Sequence, residues 1–195
     1  GVIWYPKREW GEEQQSLFAL ERIYGVCYGK TACGWSTIYQ DSMEETSVSL
    51  KLKTYGMTEV YLDGRKIVTS KQDTTLNLKL KHGAHTIFVL CQCTDRERWG
   101  FSMEFFDTKG QLLPFQLPCN IQGTKDAWLY LGPLDQAEDD VTKMQTLYRL
   151  FGNEKKAYWQ IDEPFAYVRP VLESELFGRW NYPLGVTLYG IMTTA

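Results

Sequence analysis

The chain has 195 residues, a net charge of −3 and no Lys/Arg cluster, which argues against nucleic acid and against an anionic membrane surface as partners. That length suffices for one large domain, or one domain plus a piece of another, with a core that needs no staples. Five cysteines at spacings unlike a disulfide framework read as reduced thiols and place the chain in the cytoplasm, and neither a signal peptide nor an apolar run of spanning length is present.

Residues 1–10 carry Trp4, Tyr5 and Trp10 around Pro6 and read as an extended arm lying on the domain, with Gly1 suggesting a trimmed start. Between Glu12 and Tyr24, acids come first, Arg22 comes late, Leu17, Leu20 and Tyr24 are apolar, and Gly25 follows; this predicts a short helix. Residues 24–39 mix Gly, Cys and aromatics as strand and loop. From Thr46 to Lys53, Val48, Leu50 and Leu52 alternate with Ser49, Lys51 and Lys53, a strand with one wet face. Val60 to Val68 places two alternating runs around Asp63-Gly64, a hairpin turn that needs φ > 0. Leu76, Leu78 and Leu80 then alternate with Asn77, Lys79 and Lys81, and a bend at His82-Gly83 leads into Thr86 to Leu90, apolar throughout and so buried on both faces or central. Cys91 and Cys93 share a face as small core residues rather than as a pair.

Further strands are predicted over 99–106 and 127–134, with an extended edge carrying two prolines over 111–118. Over 139–151 the period changes: Val141, Met144, Leu147, Tyr148 and Phe151 form a helical stripe, capped by Asp139 or Asp140 and ended by Gly152. A short final strand fits 158–161, and 162–178 is loop-like. Pro183 then opens a helix, apolar almost all round, that reads as the first helix of a further domain. The whole predicts an all-β jelly-roll sandwich over residues 1–161, with one or two peripheral helices, and a linker plus C-terminal helical tail over 162–195. An exposed tail of this kind would dock on the sandwich, dock on a second copy as a homo-oligomer, or stay disordered.

Two parts of the chain resemble known families. The block from Val48 to Phe106, with its strand-Asp-Gly-strand and the Leu-x-Leu-x-x-Gly-x-His-x-Ile of Leu78 to Ile87, resembles galactose-binding-like β-sandwich domains that accompany many glycoside hydrolases. The tail Phe177-Gly178-Arg179-Trp180-Asn181-Tyr182-Pro183-Leu184-Gly185 through Gly190 resembles the entry into the (α/α)6 barrel of unsaturated uronyl and rhamnogalacturonyl hydrolases. The resemblance implies an accessory domain bordering the sugar cleft of a downstream catalytic domain, its partner in the same polypeptide. It transfers no catalytic residue here, because the family's aspartates lie deeper in the barrel. Two other readings compete: an autonomous carbohydrate-binding module, and a small hydrolase complete within this chain.

Among the residues themselves, Asp95-Arg96-Glu97-Arg98-Trp99 gathers groups that would stack on a sugar face and bind its hydroxyls, so Arg96, Arg98 and Trp99 are the ligand-site candidates, with an oligosaccharide as ligand. The competing reading has Trp99 starting a strand and packing inward. Arg179 and Trp180 fit an interdomain contact. No spacing singles out a pair among Asp95, Glu97, Asp139, Asp140, Glu163, Glu173 and Glu175, so no catalytic residue is assigned. His82 and His85 flank a turn without a third ligand nearby, so no metal is assigned, and no pattern calls for a cofactor.

Overall fold

The computed structural model describes residues 17–162, apart from 122, 123, 125 and 154. It shows two antiparallel sheets packed as a β-sandwich. After a one-and-a-half-turn helix α1 (Ala19–Tyr24) come β1 (Thr31–Gln40), β2 (Thr46–Tyr55), β3 (Met57–Leu62), β4 (Arg65–Ser70), β5 (Thr74–Leu80), β6 (Gly83–Gln92) and β7 (Gly100–Phe106). The short β8 (Leu112–Leu113) and β9 (Phe115–Gln116), then β10 (Leu129–Leu134), a 3₁₀ turn (Val141–Met144) and β11 (Trp159–Gln160) complete it. The larger sheet runs β11-β10-β1-β6-β3-β4, with β9 also on β1, and the smaller runs β5-β2-β7-β8. The chain passes between sheets repeatedly, as in a jelly roll.

Local chemistry accounts for the regular part. Asp63 at φ 50° and Gly64 at φ 77° make the predicted left-handed turn between β3 and β4. The alternation in β2 buries Val48, Leu50 and Leu52 and leaves Lys51 and Lys53 wet. β6 is buried on both faces, as its unbroken apolar run requires: Ile87, Val89 and Cys91 face the smaller sheet, whereas Phe88 and Leu90 face the opposite way. Between the sheets, Ile38, Leu80, Trp99, Phe101, Phe105 and Trp128 fill the core, capped by Leu20 of α1. Gly34 lets the sheets close there, since a Cβ on it would lie 2.4 Å from the Phe101 ring.

A second apolar cluster sits on the outer face of the larger sheet. Cys33, Phe88 and Leu131 from the strands meet Val141, Met144, Phe151 and Ala157 from the irregular segment that follows β10. This segment corrects the predicted helix over 139–151. Asp140 does cap, accepting the Thr142 N–H at 3.0 Å, but the winding stops after Met144. The Met144 carbonyl accepts from Thr146 N–H at 2.9 Å and from the Trp159 indole N–H at 3.1 Å, so it does not continue a helical ladder. Val141, Met144 and Phe151 of the predicted stripe are buried, while Leu147 is 40% and Tyr148 98% exposed. The segment spreads over the sheet as a coil, and this lets Val141, Met144 and Phe151 each reach the apolar outer face with Cys33, Phe88 and Leu131.

Of the predicted helix over 12–24, residues 17–24 are described and Ala19–Tyr24 are helical, with the Glu21 carboxylate accepting the Phe18 N–H at 2.8 Å and Gly25 N–H closing on the Glu21 carbonyl. The N-terminal arm, the helical tail, the division at residue 162, Arg179 and Trp180, and Glu163, Glu173 and Glu175 lie outside the described residues. Among those described, no helix is long and apolar enough to cross a membrane.

Candidate functional site

The loop between β6 and β7 holds the three predicted ligand residues, and the structure separates their roles. Asp95 folds the loop by accepting the Glu97 N–H at 2.6 Å and the Arg98 N–H at 3.2 Å, and these bonds hold its carboxyl below the usual range. Trp99 is fully buried; its indole N–H donates to the Gly25 carbonyl at 2.7 Å and its amide N–H to Glu21 at 3.2 Å. The inward reading holds for this residue: an indole in the core has no face left for a sugar. Arg98 donates to the buried Glu21 carboxylate from Nε at 3.2 Å and Nη2 at 3.3 Å, and its guanidinium lies over the rings of Tyr55 and Phe18 at 4.9 and 5.5 Å. It fastens α1 to the end of the sandwich. Arg96 lies at the surface, 5.1 Å over the ring of Tyr28.

Tyr28 is the residue that sequence reasoning missed. It sits in the loop before β1 and is 59% exposed. It lines a groove of about 520 Å³ with Lys30, Asp135, Gln136, Asn153 and Lys155. The groove lies where β1 begins and β10 ends, at the same end of the larger sheet as the β6 terminus, because Thr31 pairs with both Leu134 and Gln92. Lys30 and Asp135 form an ion pair across it. A second groove of about 370 Å³ shares Asp135, Gln136 and Glu138 as a wall and opens onto Glu59, Tyr61 and Lys66. Tyr61 O–H donates to Glu59 at 2.6 Å and Lys66 pairs with Glu59 at 2.8 Å. Partial burial pushes the Glu59 carboxyl up, but these hydrogen bonds outweigh it and hold it below its usual range. Glu138 pairs with Arg149. The two grooves together offer an exposed aromatic face and a row of amide, carboxylate and ammonium groups, a chemistry of binding by stacking and hydrogen bonding.

A buried acidic cluster lies elsewhere. Asp162 accepts from Arg22 Nε at 2.9 Å and Nη2 at 2.5 Å, and its own N–H donates to Asp126 at 2.8 Å. Asp126 also accepts the Trp128 N–H at 3.2 Å, and burial pushes its carboxyl up to about 6. These oxygens are engaged within the fold, where they clip the end of the outer segment to α1 and β10. Neither carboxylate lines the grooves above. The two histidines serve the hairpins: His85 contacts Asp63 at 2.7 Å and the Lys81 carbonyl at 2.8 Å, and His82 the Asp41 carbonyl at 3.2 Å. Among the described residues, no group of three His, Cys, Asp or Glu is placed to hold a metal ion.

No protein-family model matches the chain, and no curated protein matches it. Among solved structures, it is similar to a Streptomyces avermitilis α-L-rhamnosidase complexed with L-rhamnose, at 13% identity and TM-score 0.46 over 87% of this chain. It is also similar to the apo form of a Pleurotus ostreatus lectin, at 15% identity and TM-score 0.41 over 67% of this chain. The chain spans 16% of the first and 37% of the second. Likeness at these scores carries no argument about activity.

Proposed function

We propose that this chain is a carbohydrate-binding accessory domain of a glycoside hydrolase, holding a saccharide in the paired grooves at the Tyr28 end of the sandwich. The observation that carries this reading is the exposed Tyr28 ring beside a concave, polar surface. A pyranose has an apolar C–H face that stacks on an aromatic ring and equatorial hydroxyls that both donate and accept. Lys30 and the side-chain amides of Gln136 and Asn153 supply donors; Asp135 and the amide carbonyls supply acceptors. In this reading Arg96, 5.1 Å over the Tyr28 ring, borders the site, Tyr28 has the stacking role in place of the buried Trp99, and Arg98 holds the loop.

The narrower reading rests on the tail's sequence resemblance: the domain precedes the barrel of a cytoplasmic enzyme like the unsaturated uronyl hydrolases, with Arg179 and Trp180 in the interdomain contact and the chemistry downstream. Two experiments test these levels separately. Calorimetric titration with a panel of neutral and acidic oligosaccharides gives saturable binding, and Tyr28→Ala weakens it about tenfold, or about 1.4 kcal/mol, with thermal unfolding unchanged. Absence of binding across the panel refutes the saccharide site. For the narrower reading, the chain and a version extended through the next several hundred residues are assayed on unsaturated uronic-acid disaccharides. Loss of ultraviolet absorbance only with the longer protein supports it; turnover by the short chain overturns it.

A further inference from the structure

We propose that Cys27 and Cys93 are a redox-responsive thiol pair that closes to a disulfide and pins the loop carrying Tyr28. Both cysteines are free in the structure, and the segments that carry them are hydrogen-bonded to each other: Gly29 N–H donates to the Cys93 carbonyl at 2.9 Å and Cys93 N–H to the Lys30 carbonyl at 2.8 Å, while Lys30 N–H closes the turn onto the Cys27 carbonyl at 3.0 Å. The Cys27 amide N–H also faces the Cys93 sulfur, which sets the two residues within side-chain reach. At present the Cys27 thiol donates to the Tyr24 carbonyl at 3.3 Å and the Cys93 thiol to the Asp95 carbonyl at 3.2 Å, so closure breaks both hydrogen bonds and turns the two thiols toward each other.

The other cysteines are poor partners. Cys33 packs on the outer face of the larger sheet and Cys91 on the inner, so the sheet separates them. Cys91 and Cys93 are two residues apart in one extended stretch, a geometry that directs them away from bonding each other. Cys119 lines a groove beside Trp159 and Ile121. Accessibility sets the order of events: Cys27 is partly exposed and lines the groove, whereas Cys93 is 1% exposed. With a small disulfide such as oxidised glutathione as oxidant, the Cys27 thiolate attacks one sulfur and expels a glutathione thiolate. The Cys93 thiolate then attacks the Cys27 sulfur of the mixed disulfide and expels the second. Two protein thiols are oxidised and one glutathione disulfide is reduced to two thiols. Burial raises the Cys93 thiol above its usual range, so the closing step is faster at alkaline pH.

The consequence for the proposed saccharide site rests on that reading: a pinned Tyr28 loop loses less freedom on binding and binds more tightly. The test incubates the chain with oxidised glutathione, then alkylates and digests it for mass spectrometry. The expected result is a cross-linked peptide joining Cys27 to Cys93, two fewer free thiols than in the reduced protein, and no such loss of two in Cys27→Ser. Separate alkylation of both residues, a stable glutathione adduct on Cys27, or a bridge to another cysteine overturns the proposal. Because this readout uses no sugar, failure of the saccharide site and failure of the thiol pair are told apart.

Discussion

The two faces of the larger sheet are buried by different means. The inner face meets a second sheet, and strand alternation on both sides assembles an interdigitated core of Val48, Leu50, Ile87, Val89 and Phe105. The outer face meets a coil that contributes single anchors: Val141, Met144 and Phe151, with Trp159 half-buried among Trp35, Phe88 and Phe151 at centroid distances of 5.5, 6.0 and 6.4 Å. A sheet-on-sheet core shares its backbone hydrogen bonds along whole ladders. The coil depends on isolated ties, such as the Trp159 indole to Met144 and the paired amides of Phe151 and Ala157. The inner core is therefore expected to be the cooperative unit and the outer layer a unit that opens at lower free energy.

The largest effect that sharpens this contrast is Trp99→Ala. It removes a fully buried indole and leaves Gly25 without its donor, at a cost of about 3–5 kcal/mol, read from the urea midpoint. The loss is expected to be global, with all strands deprotecting together. Trp159→Ala is expected to cost about 1–3 kcal/mol, and hydrogen exchange is expected to accelerate over 141–160 while β2, β6 and β7 keep their protection. Equal deprotection of both regions would break the comparison.

Two titrations probe the seam and the hairpin. Asp126 ordinarily ionises at 3.8 and here at about 6 because it is buried. The folded state binds the extra proton, so this group favours folding most below its unfolded value, and its contribution falls as pH rises through that window. Unfolding midpoints from pH 3.5 to 6.5 are expected to show that decline in the native chain and lose it in Asp126→Ala, after other carboxyls are subtracted through the difference between the two proteins. His85 has the smaller effect. Partial burial lowers its pKa, but the Asp63 carboxylate and Lys81 carbonyl, both acceptors, prevail and raise it. Its contribution is complete below about pH 6.5, the unfolded value, and is lost as pH climbs through the raised folded value. His85→Gln is expected to flatten the profile between about pH 6 and 8; an unchanged slope would mean that the ring does not carry the charge.

The same division governs what could be read in advance. The Leu-x-Leu of β5, the Val-x-Leu-x-Leu of β2 and the Asp63-Gly64 turn were legible because period and turn chemistry are local. The 139–151 segment is not legible in this way because its apolar spacing fits a helix equally well, and the choice lies with the apolar sheet face beneath it and with Trp159 taking the Met144 carbonyl. For the proposed site, the sequence offers the charged loop with Arg96 and Trp99; the fold turns Trp99 inward and sets Tyr28, 68 positions before Arg96 in sequence, under the Arg96 guanidinium.

The β-rich character of the chain, its central strands, and the wet and dry faces of those strands follow from local sequence, because side-chain alternation and left-handed turns are properties of neighbouring residues. Tertiary structure alone decided which aromatic stays in water. Trp99 and Tyr28 both occupy loops, and only the closing of α1 and the β6–β7 loop over the sandwich end places one in the core and leaves the other at a groove.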